Sequence, residues 1–153
     1  MAAPLLTLEL DPAPFQPLQA LEHWQARVRA GLGCLPAAES SFVGRVRPHT
    51  GAGQPLAALE LEHYPGMTEA QLQRLATAAA GRPGVAAVLV RHRVGRVLPG
   101  QPIVLVAVAA DRRGPAQRCC QELLEALKHE APFWKREWLA DGSGLWLGGN
   151  TPL

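Results

Sequence analysis

The longest apolar run in the chain extends from Ile103 to Ala110. A run of this length is far too short to cross a membrane, which takes about 20 residues in a helix. In a strand it would place apolar side chains on both faces of a sheet. The run therefore predicts a central strand whose sheet is covered on both sides, which a single layer of structure cannot provide.

Hydrophobic periodicity divides the rest of the chain into helices and paired strands. It predicts helices over residues 17–31, over 68–80, and from Pro115 until Pro132 ends the third one. It predicts further strands over residues 41–47, 56–64, 85–94, 133–139 and 145–147. Thr68 is expected to begin the second helix, with Gln71 as its capping-box partner. The order αββαββαββ favours the α+β class over a doubly wound parallel sheet.

Length and composition are those of one globular domain. A chain of 153 residues can bury roughly two-thirds of its unfolded surface, which is enough for one stable domain. We therefore expect residues 1–153 to form a single domain, with a flexible tail from about residue 148. The N-terminus lacks the basic start and long apolar core of a secretory signal, and the expected location is cytoplasmic, with no membrane partner. The three cysteines have no metal-ligand spacing, so no metal and no cofactor are expected.

The basic residues are unevenly divided between arginine and lysine. The net charge of +2 is too small to indicate nucleic acid by itself. Of the 15 basic residues, however, only Lys128 and Lys135 are lysines. Lysine can lose its proton and act as an amine, which arginine cannot do. The alternatives are that two lysines survive by chance, or that Lys128 only supplies the cation that any helix C-terminus favours.

Three segments concentrate polar groups that a core does not require. Arg45 and Arg47 lie at the end of a predicted strand, where they face a ligand or form a solvated edge. Arg112 and Arg113 open the third helix, where backbone amides and the helix dipole favour an anion. The third segment contains both lysines, with Phe133 and Trp134 between them as walls of a flat pocket. The residues alone thus predict an anion-binding pocket with two special lysines.

Five motifs within residues 42–137 carry a resemblance to a known family. In order along the chain they are Phe42-Val-Gly-Arg-Val-Arg, Leu61-Glu-His-Tyr-Pro-Gly-Met-Thr, His92-Arg-Val-Gly, Pro99-Gly and Ala131-Pro-Phe-Trp-Lys-Arg-Glu. Together they resemble the large, catalytic subunit of molybdopterin synthase. The second and fifth motifs are specific, while the strands between the motifs are not.

The resemblance implies a fold, a reaction and partners. The fold is an α/β hammerhead-type domain with a small additional β subdomain, assembled as a homodimer within a heterotetramer. Each protomer would bind one small ubiquitin-like sulfur carrier, whose C-terminal Gly-Gly thiocarboxylate enters the catalytic pocket. The substrate would be cyclic pyranopterin monophosphate, a pterin phosphate that receives two sulfurs to become molybdopterin. No nucleic acid is implied.

The resemblance also implies roles for particular residues. The catalytic pair is Lys128 and Lys135. The expected pocket wall consists of Phe42, Phe133 and Trp134. The expected substrate-binding residues are Arg45, Val46, Arg47, Arg112, Arg113, Arg136 and Glu137. Because such enzymes are homodimers, the loop of Arg112 and Arg113 is a candidate to serve the neighbouring protomer's pocket.

Two departures from the family pattern keep alternatives open. Many members carry His-Arg where Arg112 and Arg113 stand, and arginine keeps the charge but cannot exchange a proton at neutral pH. A catalytically weak paralogue, which binds carrier or pterin without transferring sulfur, is therefore the alternative function. The stretch before Phe42 is also unusual, so the first strand is expected to begin late. An RNA-binding domain, suggested by the arginines between Arg91 and Arg96, is disfavoured because they lie on a buried strand pattern.

Overall fold

A computed structural model describes residues 2–131 and 133–148. Residues 149–153, which form most of the predicted tail, lie outside the described residues. Helices are α1 (Pro17–Leu32), α2 (Met67–Ala80) and α3 (Arg113–Glu130). Strands are β1 (Leu5–Asp11), β2 (Ala38–Arg45), β3 (Leu56–His63), β4 (Val85–Arg93), β5 (Gly95–Val97), β6 (Pro102–Ala110), β7 (Phe133–Leu139) and β8 (Gly144–Trp146).

The larger sheet has the strand order β1-β4-β6-β2 and is covered on both faces. β1 pairs with β4 in parallel, whereas the β4–β6 and β6–β2 pairs are antiparallel. Along β6, Val104, Val106 and Val108 pack with α2 and α3, and the residues between them pack with α1. The interior position predicted for this strand is confirmed, and its unbroken apolar run is explained because each face has its own core.

The smaller sheet has the order β5-β3-β7-β8 and is entirely antiparallel. It has a separate small core around Leu61 and Val97, both almost completely buried. The chain enters β7 directly after α3, so this junction connects the two parts of the fold. The predicted α+β class, with a larger α/β part and a small β part, is confirmed. Among the described helices none is long and apolar enough to span a membrane.

Three strand predictions were incomplete. The observed order is βαββαβββαββ, because β1 and β5 were not predicted. Leu6, Leu8 and Leu10 do alternate along β1, but the strand is an edge that forms only by pairing with residues about 80 positions later. β5 is three residues long, too short to show a period. β2 begins at Ala38, so the expectation of a late start was wrong: Ala38 pairs with Ala110 at the end of the central strand.

The predicted start of α2 was also wrong in detail. The helix begins at Met67 behind Gly66, whose φ of 86° lies in the left-handed region. The Glu69 carboxylate accepts a hydrogen bond from the Gly66 N–H, which is the contact the capping-box prediction gave to Gln71. Thr68 instead accepts a bond from the Tyr64 N–H at 3.0 Å. The Pro-Gly turn therefore sets the cap earlier than the side-chain pattern indicated.

Candidate active site

A cavity of about 530 Å³ lies where the end of α3 meets the two sheets. Helix α3, both long strands of the smaller sheet and the ends of β2, β4 and β6 contribute to its lining. Eight of the residues predicted from the sequence line it: Phe42, Arg45, Val46, Arg47, Lys128, Phe133, Lys135 and Glu137. The structure thus brings the two predicted lysines, two arginines and two aromatic rings to one pocket.

The two lysines reach the pocket from different elements. Lys128 lies in the last turn of α3, one position after Leu127, which also lines the cavity. Lys135 lies on β7, where alternate residues point to opposite faces of the sheet. Phe133, Lys135 and Glu137 therefore share the face that lines the cavity. After the strand β8, the Leu147 N–H donates to the Lys135 carbonyl at 2.8 Å and brings Leu147 into the lining.

Burial and a like charge act together on Lys135. Loss of solvent around the half-buried side chain is the larger effect, and the nearby Lys128 ammonium adds to it, so the pKa of Lys135 is lowered from its usual value of 10.5. A larger fraction of this amine is consequently uncharged near neutral pH than on an exposed lysine. An uncharged amine can accept a proton or attack an electrophile.

The arginines are positioned by the way β2 ends. The strand stops at Arg45, and Val46 is then fixed by two backbone bonds to the 98–101 turn, donating to Gln101 O at 3.0 Å and accepting from Gly100 N at 2.8 Å. Its neighbour Arg47 lines the pocket together with Arg45. At Gly44 a Cβ would lie 3.0 Å from Val104 and 3.3 Å from the Phe42 ring. The glycine therefore leaves room for that ring at the pocket rim.

Four predicted site residues lie elsewhere. Arg112 and Arg113 are at the N-terminal end of α3, and 15 residues of helix place them roughly 22 Å from Lys128. Trp134 and Arg136 point to the opposite face of β7 from Lys135. The Arg136 guanidinium packs 4.6 Å from each of the Trp138 and Trp146 ring centroids.

Trp134 belongs to a different groove, which it lines with Tyr64 and Trp146. The prediction that Phe133 and Trp134 together wall one pocket is corrected by this arrangement. Consecutive residues of a strand face opposite sides, and both residues fall inside β7 rather than in a loop. The pocket wall therefore contains Phe42 and Phe133 but not Trp134.

His92 also lines the pocket, although it was not among the site residues predicted from the sequence. Its ring stacks on Phe133 with centroids 4.0 Å apart and an angle of 10° between the planes. Its Nδ1 lies 2.8 Å from the Arg93 carbonyl oxygen. Burial, reinforced by the Lys135 and Lys128 charges, lowers the pKa of His92 to about 4, so the ring is neutral. The residue lies within one of the five motifs and inside the strand predicted over residues 85–94.

The arginines beside His92 have internal partners. Arg91 pairs with Asp11 at 2.7 Å and with Glu9 at 3.1 Å. Arg93 is almost fully buried and donates to the backbone carbonyls of Asp11 and Arg96. This arrangement disfavours the RNA-binding alternative. Among the described residues, no three His, Cys, Asp or Glu side chains are grouped to hold a metal ion.

Comparison of the sequence with known proteins gives consistent matches. The family model described as MoaE protein matches residues 15–130. The chain is 46% identical over 118 residues to the molybdopterin synthase catalytic subunit of Ralstonia nicotianae, covering 77% of this chain and 66% of that protein. It is 38% identical over 145 residues to the protein of the same name from Pseudomonas aeruginosa, covering 95% and 92%. The match thus spans about two-thirds of the first relative and nearly all of the second.

Comparison with solved structures gives the same picture. The chain is similar to the molybdopterin biosynthesis MoaE protein from Burkholderia ambifaria MC40-6, with a TM-score of 0.76, 39% identity and coverage of 97% and 93% of the two chains. It is similar to molybdopterin synthase from Staphylococcus aureus, with a TM-score of 0.73, 26% identity and coverage of 97% and 98%. The arrangement of helices and sheets is therefore shared along almost the whole length of these chains.

Proposed function

The chain belongs to the MoaE protein family, as the sequence resemblance predicted, and we propose that it is the catalytic subunit of a molybdopterin synthase. In this proposal it converts cyclic pyranopterin monophosphate to molybdopterin. The two sulfurs come one each from two molecules of a small ubiquitin-like carrier, each with a C-terminal Gly-Gly thiocarboxylate. One observation carries the proposal: Lys128 and Lys135 share a pocket with two arginines and an aromatic wall.

The pocket fits the substrate in size and in chemistry. A cavity of about 530 Å³ is within the range of roughly 300–1,000 Å³ that is typical of small-molecule sites. Arg45 and Arg47 supply permanent positive charge for the phosphate. The rings of Phe42 and Phe133, with the apolar side chain of Leu127, offer flat surfaces for a pterin. The same pocket also has to admit the extended Gly-Gly end of the carrier.

The two lysines are assigned different tasks. Lys135, with its lowered pKa, exchanges the protons that must move as sulfur attacks and the substrate ring opens. Lys128 supplies positive charge for the oxyanion and phosphate charge that develop in the transition state. A carrier that gives up its sulfur must take an oxygen atom from water, so it leaves as a carboxylate. Sulfur is transferred at unchanged oxidation state, and no oxidant or reductant is consumed.

The proposal includes two kinds of partner. The name catalytic subunit, which the relatives carry, implies at least one other subunit, and we assign that place to the sulfur carrier. A second copy of the chain is proposed because Arg112 and Arg113 lie at the end of α3 remote from Lys128. They cannot reach the pocket of their own protomer, so a site that includes them is shared between protomers.

The test of the function is reconstitution from purified components. The protein is mixed with the thiocarboxylated carrier and the cyclic pterin phosphate, and molybdopterin is followed by fluorescence after oxidation. Product is expected from the native chain, and its rate of formation is expected to fall at least about 10-fold in Lys128→Ala. The matched control is Arg118→Ala, which removes a cation from the same helix outside the pocket. A carrier complex that forms normally but yields no product would favour the weak paralogue instead.

The shared site has its own test. Arg113→Ala and Lys128→Ala subunits are combined, so that a mixed dimer has one pocket with both residues intact. Random pairing should then restore about a quarter of the native activity if each pocket takes Arg113 from its neighbour. The control mixes Arg118→Ala with Lys128→Ala. A mixture no more active than the sum of its two components would contradict the shared site.

A further inference from the structure

The proposed reaction leaves His92 unused, although this side chain is buried in the wall of the catalytic pocket. His92 lies on β4, in the larger sheet, whereas the two lysines lie on either side of the α3–β7 junction. The polar atoms of a buried ring are expected to have hydrogen-bond partners. Since the Arg93 carbonyl oxygen can only accept, the proton is assigned to Nδ1, and Nε2 keeps its lone pair.

The His92 ring is stacked on the Phe133 ring. The two planes are 10° from parallel and their centroids are 4.0 Å apart. Phe133 is the first residue of β7, and its N–H donates to the Ala131 carbonyl at 2.9 Å. Ala131 in turn donates to Leu127 O at the end of α3. The stack therefore packs the end of β4 against the first residue of β7, which lies between Lys128 and Lys135 in the chain.

The charge of the ring matters because its surroundings are mainly cationic. Lys135 on β7 and Lys128 on α3 oppose its protonation, and Asp11 on β1 only partly offsets them. Arg45 from β2 lines the same cavity, with Glu137 as an acidic member. A neutral ring can pack against Phe133 beside two amines, whereas a third cation there would repel both. Histidine with Nδ1 tied to a carbonyl keeps the neutral form with a fixed orientation.

We propose that His92 is a positioning residue: its neutral ring clamps Phe133 and so fixes the separation of Lys128 and Lys135. The inference rests on the proposed function, because it assigns that separation to catalysis. It does not make His92 a proton donor or acceptor in the reaction. Its action is through Phe133, and a ring of similar shape without nitrogen should therefore replace it.

The experiment compares His92→Ala with His92→Phe in the full chain. The control is His23→Ala, which replaces an exposed histidine on α1. Because the chain has only two lysines, reductive methylation with ¹³C gives two lysine signals in an NMR spectrum, and the Lys128→Gln variant assigns them. Titration then reports the environment of Lys135 without any requirement for activity. Turnover and carrier affinity are measured on the same proteins in unmethylated form.

His92→Ala should let water into the junction, so the titration of Lys135 moves toward higher pH. Turnover should fall about 10- to 100-fold, as expected for small displacements of a catalytic group, with carrier affinity unchanged. His92→Phe, which keeps the stack, should stay within about threefold of native turnover and retain the native titration of Lys135.

Native Lys135 titration and turnover in His92→Ala would overturn the proposal. So would a His92→Phe variant that folds but is as impaired as His92→Ala. If the native chain makes no product, the proposed function fails, while the Lys135 titration still decides whether His92 positions the junction.

Discussion

The two faces of β7 carry similar residues but have different environments. On one face, Phe133 and Lys135 line the pocket. On the other, Trp134 and Arg136 point away from it. Each face thus pairs an aromatic ring with a cation two residues along the strand. Because these four residues share one strand, differences in their roles arise from what surrounds each face.

The cations differ in what surrounds them and in what they can do. Arg136 packs against both Trp138 and Trp146, an arrangement that keeps its charge and uses its flat guanidinium for packing. Lys135 lies beside another ammonium in a half-buried pocket, which favours loss of its proton. One face therefore carries a permanent cation that packs on aromatic rings, and the other carries the titratable cation to which the proposed function assigns the chemistry.

Exchanging the two kinds of cation should give the largest effect. Lys135→Arg keeps the positive charge but removes the exchangeable proton, so turnover should fall about 10²- to 10⁴-fold. Arg136→Lys is the matched control on the opposite face and should remain within about threefold of native turnover. Both are measured as single-turnover formation of molybdopterin with saturating carrier. Substantial activity in Lys135→Arg would break the comparison, because charge alone would then suffice.

Removing the like charge beside Lys135 should change the pH dependence. Lys128 lowers the pKa of Lys135, so in Lys128→Gln that pKa rises. The uncharged amine then appears at higher pH, and the acidic limb of the turnover profile should move to higher pH. Turnover at the optimum should also fall roughly 10- to 100-fold, because the charge proposed to stabilise the transition state is lost. An acidic limb that stays in place or moves to lower pH would show that Lys135 does not set it.

How much could be predicted from the sequence differs between local and long-range features. The apolar run of β6 carries its own signal, because a strand buried on both faces must be apolar at every position. β1 carries a weaker one, since its formation depends on pairing with Ala87 and residues after it. The cap of α2 was misplaced because Glu69, three residues after Gly66, makes the contact that was expected of Gln71, three residues after Thr68.

The same difference between local and long-range features applies to the candidate site. Lys128 and Lys135 were found from composition, as rare lysines in an arginine-rich chain, and the structure brings them to one cavity. Trp134 was misassigned because a wall was inferred from adjacent residues before their place in a strand was fixed. His92 was overlooked because its contact with Phe133 joins residues 41 positions apart. No pattern near His92 indicates that contact.

On the face of β7 that carries Trp134 and Arg136, a substitution should change stability rather than turnover. Arg136→Ala removes the guanidinium that packs against two tryptophan rings, and should lower the free energy of unfolding by about 1–2 kcal/mol. Turnover at a temperature where the chain is folded should stay within about threefold of native. Urea unfolding followed by tryptophan fluorescence measures the first quantity. A large loss of turnover with native stability would instead return Arg136 to the substrate-binding set.

Trp134 gives the smallest expected effect, and its comparison with the neighbouring Phe133 is the sharpest form of the test. Trp134 is about half exposed, with a tilted contact to Tyr64 at 6.3 Å between centroids. Trp134→Ala should therefore cost less than about 0.5 kcal/mol of stability and leave the turnover number unchanged. Phe133→Ala, one position earlier, removes the ring stacked on His92 and should lower turnover.

Both variants are assayed with the carrier at saturation, so that a weakened complex is separated from impaired chemistry. Equal losses of turnover in Phe133→Ala and Trp134→Ala would contradict the division of β7 into two faces. A loss confined to Phe133→Ala would instead establish that alternation along this strand separates packing from chemistry. The reason is physical: adjacent side chains on a strand lie on opposite sides of the sheet, and only one side of this sheet borders the cavity.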